Sequence, residues 1–164
     1  AGATGVVRHD PMAMWPFCGY NMADYFSHWL DVGQRLAHPP KIFRANWFRV
    51  DEQGAMIWPG FGENLRVLRW VIDRCQGQGE AVTTPIGRIP TPRALGDGEL
   101  AITPNGWRTL LEVDRNSWVD AGCQQTEFFD AFGGRIPAAL LEEQRAVTAR
   151  LQAWHPDTVP ADVA

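Results

Sequence analysis

The 164-residue chain is 45% apolar, 11% aromatic and 21% charged, a balance that suits a folded domain and excludes a disordered tail or a collagen-like repeat. Fifteen basic and nineteen acidic side chains leave a formal charge of −4, which excludes the basic footprint of a general nucleic-acid binder. No apolar run reaches the roughly eighteen residues of a membrane span, and the start carries no secretory signal, so a cytoplasmic protein is expected.

The opening nine residues are small and aperiodic, which predicts a mobile loop ending at Asp10-Pro11, with Asp10 capping the turn beside a solvated His9. Asn21 is placed to cap a helix over 22–36, because Met22, Tyr25, Phe26, Trp29 and Leu30 recur at helical spacing. Pro39-Pro40 stops it. Ile42 to Arg49 alternates bulky and polar residues and predicts a strand, Asp51-Glu52-Gln53-Gly54 a turn, and Ala55 to Trp58 a return strand ended by Pro59. Asn64 is then expected to cap a helix that buries Val67, Leu68, Val71, Ile72 and Cys75 and leaves Arg66, Arg69 and Arg74 in water. The run from Thr83 to Pro92 reads as one short strand between loops. Residues 104–155 form a helical part, with one helix running from after Asp114 through Trp118 to Phe129 and another entering at Pro137 and using Leu140, Val147 and Leu151. Residues 156–164 read as frayed. With no internal repeat, the whole chain is expected to be a single unit of mixed α+β type, in the α/β class.

One segment stands out chemically. Between Asn46 and Asn64, Trp47, Phe48, Trp58 and Phe61 surround the expected hairpin and lead into a glycine-flanked turn and a helix start. Flat rings beside backbone N–H groups suit a nucleobase, each stacking partner contributing about 1–3 kcal/mol. Guanine's edge sets N–H donors beside a carbonyl acceptor, a pattern that the Asn64 carboxamide matches. The same aromatics also read as the core face of a hairpin, and both readings stand at this point. Other chemistry is thinly represented. Gly60-Phe61-Gly62-Glu63-Asn64-Leu65 starts like a dinucleotide fingerprint but has Leu65 in the third glycine's place. All basic residues but Lys41 are arginine, and Lys41 lies in Pro39-Pro40-Lys41-Ile42, so no Walker-type phosphate loop is present. Three widely spaced cysteines spell neither a disulfide framework nor a C-x-x-C zinc site, and Cys18 and Cys123 are expected as buried small hydrophobes. No carboxylate pair and no nucleophile with its base is evident.

Particular strings carry more than periodicity does. Arg8-His9-Asp10-Pro11-Met12-Ala13-Met14, Pro16-Phe17-Cys18-Gly19-Tyr20-Asn21, Asp24-Tyr25-Phe26 and His28-Trp29-Leu30 come first along the chain. Pro40-Lys41-Ile42-Phe43, Asn46-Trp47-Phe48-Arg49 and Trp58-Pro59-Gly60-Phe61-Gly62-Glu63-Asn64 follow. In this order they resemble the GTP-dependent phosphoenolpyruvate carboxykinases, nearly without gaps over residues 6 to 75 and more loosely through Thr84-Pro85-Ile86-Gly87 to the C-terminal helices.

The resemblance implies the C-terminal part of that family's nucleotide-binding domain. Its enzymes interconvert oxaloacetate and GTP with phosphoenolpyruvate, GDP and carbon dioxide, with Mn2+ or Mg2+, in the cytosol or mitochondrion; for this chain a cytoplasmic enzyme is expected, a monomer at full length that needs neither nucleic acid nor membrane. By the same resemblance, guanine is sandwiched between Phe48 and Phe61 and read by Asn64, with Trp47, Gly62 and Glu63 lining the pocket and Met56 in place of a third aromatic. Residues 1–9 would be the tail of a mobile lid, and residues 41–75 the hairpin and helix of the guanine pocket. The family's phosphate loop, metal ligands and substrate-holding arginines precede the matching region, so the chain is expected to hold no metal or catalytic residue and to be inactive alone. A stand-alone guanine-nucleotide-binding or interaction module without catalysis is the alternative.

Overall fold

The computed structural model describes residue 10 and residues 13–155, so the expected lid tail over 1–9, His9 with it, and the expected fraying over 156–164 lie outside the described residues. The elements in order are α1 (Met22–Arg35), α2 (Asn64–Cys75), β1 (Val82–Thr84), β2 (Gly87–Ile89), α3 (Pro104–Leu111), α4 (Arg115–Asp130) and α5 (Ala138–Gln152). This is the mixed α and β class expected from the sequence. The described residues group into two compact units, one of residue 10, residues 13–40 and Arg115–Gln152, and one of Lys41–Asp114 with residues 153–155.

In the first unit, Asn21 is extended and its Oδ1 accepts from the Ala23 amide at 2.9 Å, which satisfies one of the orphan donors of α1. Met22, Ala23 and Phe26 turn inward and pack with Phe132 and Ile136 after α4. Trp15 stands edge-on to Phe128, with ring centroids 5.3 Å apart. The Asp10 carboxylate accepts from the Trp15 amide at 2.9 Å, the turn-capping role its sequence position suggests. Gln144 on α5 donates to the Gly122 carbonyl and the Thr126 hydroxyl of α4, which sets the pairing of the two helices. Leu151 is almost fully buried and Leu140 and Val147 are half-buried, as expected. Cys18 packs half-buried against this core, but Cys123 is exposed. Its neighbours Gln124, Gln125 and Thr126 are exposed too, because Phe128 and Phe129 carry the packing of α4.

The second unit is built on three tryptophans, Trp58, Trp70 and Trp107, packed with Leu95 and Leu100. Helix α2 presents a different face from the expected one: Trp70 is buried, with Val67 and Val71 beside it, while Leu68, Ile72 and Cys75 are exposed. Trp70 prevails because it has the largest apolar area and because its Nε1–H, which burial obliges to find a partner, donates to the Glu80 carbonyl at 2.8 Å. Arg66 and Arg74 are correspondingly not in open water; Arg74 Nη1 donates to the carbonyls of Gln78 and Gly79. Lys41 Nζ reaches the Arg74 and Cys75 carbonyls at 2.8 and 3.2 Å and closes the C-terminal end of α2.

Three further expectations are corrected. The strands expected over Ile42–Arg49 and Ala55–Trp58 reduce to one isolated bridge, Val50 to Met56, flanked by the Ile57 amide bonding the Arg49 carbonyl at 3.0 Å. Pairing does not spread because no other strand lies alongside among the described residues, and an isolated two-stranded ribbon is marginal. The single strand expected within Thr83–Pro92 is instead an antiparallel pair, Val82 facing Ile89 and Thr84 facing Gly87, with Thr84 Oγ1 donating to the Gly87 carbonyl across the Pro85-Ile86 turn. Helix α3 adds to the two helices expected over 104–155. Its signals are local: Thr103 Oγ1 accepts from the Gly106 amide and Pro104 occupies the first turn. Gly106 also lets the helix approach closely, since a Cβ there would sit 3.0 Å from Ile102 and 3.1 Å from Ile57.

Candidate nucleobase site

The segment from Asn46 to Asn64 is held at several points. Asp51 Oδ1 accepts from the Gln53 and Ala55 amides at 3.0 and 2.8 Å and shapes the predicted turn. Arg49 Nη1 donates to the Leu110 and Glu112 carbonyls at the end of α3, so the backbone next to Phe48 is fastened to that helix. The Phe48 amide itself donates to Asn46 Oδ1 at 3.0 Å. Inward, Trp47 and Trp58 meet at 6.0 Å between ring centroids, and Trp58 is 7% exposed.

Outward, the same segment shows Phe48 at 70% exposure, Phe61 at 90% and Met56 at 65%. Neither phenylalanine stacks on another ring among the described residues. A phenyl ring left in water forgoes about 1.5–3 kcal/mol of burial, so each of these two exposed rings has apolar area available to a flat ligand. The hairpin-core reading therefore fails for these two rings, while it holds for Trp58 and in part for Trp47.

Asn64 is not the helix cap. It is the first residue of α2, in helical conformation, with Glu63 before it at the cap position, and its Oδ1 accepts from Trp58 Nε1 at 2.8 Å. Its Nδ2 has no partner among the described residues. The turn before it, Phe61–Glu63, is a single 3-10 turn that follows Gly60 at φ +123°. The Glu63 amide of this turn donates to the Gly60 carbonyl, and the Asn64 amide that follows donates to the Phe61 carbonyl. The Glu63 carboxylate pairs with Arg66, which also reaches Glu99 at 2.9 Å. Hydrogen bonds to Glu63 first and Glu99 second raise the Arg66 guanidinium pKa above its ordinary value. Glu63 thus braces the turn from the protein side, and Gly62 leaves its surface open.

Comparison with known proteins decides the family. The family model described as "Phosphoenolpyruvate carboxykinase C-terminal P-loop domain" matches residues 1–150. The chain belongs to the phosphoenolpyruvate carboxykinase family. It is 43% identical over 152 residues to "Phosphoenolpyruvate carboxykinase [GTP]" of Chlamydia trachomatis serovar D, covering 92% of this chain and 25% of that protein. A protein of the same name from Paenarthrobacter aurescens is 45% identical over 154 residues, covering 92% and 25%. One from Anaeromyxobacter dehalogenans is 39% identical over 152 residues, covering 93% and 26%. The chain thus spans about a quarter of the length of the curated carboxykinases it matches. It carries no G-x-x-x-x-G-K-[ST] sequence.

Of the residues singled out in the sequence, the structure gathers Trp58 and Asn64 into direct contact and leaves Phe48, Met56 and Phe61 open to solvent. What residue-by-residue reasoning missed is the role of Trp58 as a hydrogen-bond donor. The available signal was the string Trp58-Pro59-Gly60-Phe61-Gly62-Glu63-Asn64, which doubles back and returns a carboxamide to an indole.

Proposed function

We propose that this chain supplies the guanine pocket of a GTP-dependent phosphoenolpyruvate carboxykinase, a cytoplasmic enzyme that converts oxaloacetate and GTP into phosphoenolpyruvate, GDP and carbon dioxide. In this reading Phe48 and Phe61 clasp the base, Asn64 reads its edge, Trp47 and Met56 flank it, and Gly62 and Glu63 form the turn beneath it. The observation that supports the reading is that one segment, Asn46 to Asn64, carries two exposed rings and a carboxamide whose oxygen is already engaged. The base is thereby offered stacking area and an N–H donor, which guanine's O6 accepts and adenine's amino group does not.

The chain's own part in the reaction is to bind and orient. Holding the purine fixes where the triphosphate begins, and phosphoryl transfer depends chiefly on positioning and on neutralising charge at the γ-phosphoryl group. The family implies a divalent cation, which would supply that neutralisation when bound. Among the described residues no three His, Cys, Asp or Glu side chains are grouped to hold an ion. The phosphate loop, cation and substrate contacts are assigned to other parts of the enzyme, which act as one monomer with this segment. Among the described residues no helix is long and apolar enough to cross a membrane.

Calorimetric titration of the chain with GDP, ADP and guanosine tests the assignment. GDP is expected to bind at least about tenfold more tightly than ADP, about 1.4 kcal/mol, with guanosine retaining most of the base preference. Equal heats and affinities for GDP and ADP would remove the reading. Carboxylation of phosphoenolpyruvate by the isolated chain is expected to be undetectable.

Met56 gives a second prediction within this reading. A thioether with three rotatable bonds packs on a purine less rigidly than a phenyl ring. Met56→Phe is expected to tighten GTP binding severalfold, because an exposed site accepts the larger ring without repacking the core. The check is parallel titration of both forms with GTP and ITP, and an unchanged pair of affinities counts against a Met56 contact.

A further inference from the structure

Trp58 and Asn64 lie on either side of a tight turn, and the bond between them has only one possible sense. An indole Nε1–H is a donor and never an acceptor, so the carboxamide oxygen of Asn64 must face it. Trp58 is buried among Trp47, Trp70, Trp107 and Leu95, which prevents the indole from turning away. A carboxamide whose oxygen is held by one donor has its orientation fixed, with the NH2 group turned away from that donor, and at Asn64 the NH2 group has no partner among the described residues.

We propose that Trp58 is a specificity-determining positioning residue: by pinning Asn64 Oδ1 at 2.8 Å it forces the carboxamide to present donors to the ligand, and so selects purines with an oxygen at C6 over purines with an amino group there. The proposal rests on the guanine-pocket reading above and adds the device that makes that pocket selective. An unpinned asparagine is ambivalent. Turned by 180° about its terminal torsion, the same side chain offers an acceptor, which suits adenine's amino group as well as the donor suits guanine's O6. Stacking cannot make this distinction, because every base has a π-face. The choice is made by a residue that touches the reader and need not touch the base.

The discriminating experiment exchanges the Trp58 N–H and leaves its shape. In the full chain, Trp58 is replaced by β-(3-benzothienyl)alanine, in which sulfur stands for the N–H, and in a second variant by Trp58→Phe. GDP, IDP and ADP are titrated against each form, with near-ultraviolet circular dichroism confirming that the tryptophan core is retained. The expected result is about a tenfold loss for GDP and for IDP, which share the C6 oxygen, an unchanged or improved affinity for ADP, and an unchanged GDP-to-IDP ratio. Loss of affinity for all three nucleotides alike would show a merely structural role and overturn the proposal. Retention of the wild-type GDP-to-ADP ratio in the benzothienyl variant would also overturn it while leaving the guanine pocket in place. A wild-type chain that does not prefer GDP to ADP removes the pocket reading and this proposal with it.

Discussion

Phe61→Ala is expected to weaken GDP binding by about ten- to a hundredfold, the roughly 1–3 kcal/mol that one aromatic stacking partner contributes, while leaving the stability of the chain unchanged. The two halves of this expectation come from one observation. At 90% exposure the ring contributes almost nothing to the packed interior, so truncating it forfeits little burial and opens no cavity. Its loss is felt only when a ligand is there to cover it. Phe48→Ala is expected to behave alike at 70% exposure, and the double variant should depart from the sum of the two single losses if both rings contact one base, because they then share a partner. Calorimetric titration paired with urea denaturation reads both quantities. A fall in stability of more than about 1 kcal/mol without loss of binding would make Phe61 a structural residue and remove it from the pocket.

The legible parts of the fold were those whose signals are complete within a few residues. Asn21 capping α1, and Asp51 shaping its turn, need only a side chain and an amide two to four positions away, and both occur as expected. The illegible parts depend on partners distant in sequence. Helix α2 carries apolar residues on two faces, Leu65-Leu68-Ile72 and Val67-Trp70-Val71, and helical spacing alone cannot rank them. The ranking is made by the Glu80 carbonyl, which meets the Trp70 indole from beyond the end of the helix. The alternation in Ile42–Arg49 describes a chain that would pair if a strand lay beside it, and among the described residues only Val50 and Met56 pair near the turn. Helix α3 could have been read from Thr103-Pro104 followed by Trp107, since both the cap and the first-turn proline are local. At the site, residue types pointed to rings plus a carboxamide, but the direction of the carboxamide depends on a contact that composition does not encode.

The position of Phe61 is in turn set by the backbone just ahead of it, and Gly60→Ala is the variant that isolates that contribution. Gly60 has φ +123° and ψ −167°, a region open almost only to glycine. Space is not the constraint, because a Cβ built there has nothing within 4 Å. The whole penalty is therefore conformational, about 1–3 kcal/mol, and can be relieved only by rotating the turn that carries Phe61 and leads into Asn64. Gly60→Ala is accordingly expected to lower stability by that amount and to weaken GDP binding as well, in contrast to Phe61→Ala, which affects binding alone. Gly62→Ala serves as the internal control: its φ is not in the positive region and its Cβ also meets open space, so alanine there is expected to be neutral or slightly stabilising. Urea denaturation of the two glycine variants side by side decides the matter. Equal stabilities would mean that the turn adopts another backbone conformation at Gly60, and that the ring and the carboxamide are held by something other than this turn.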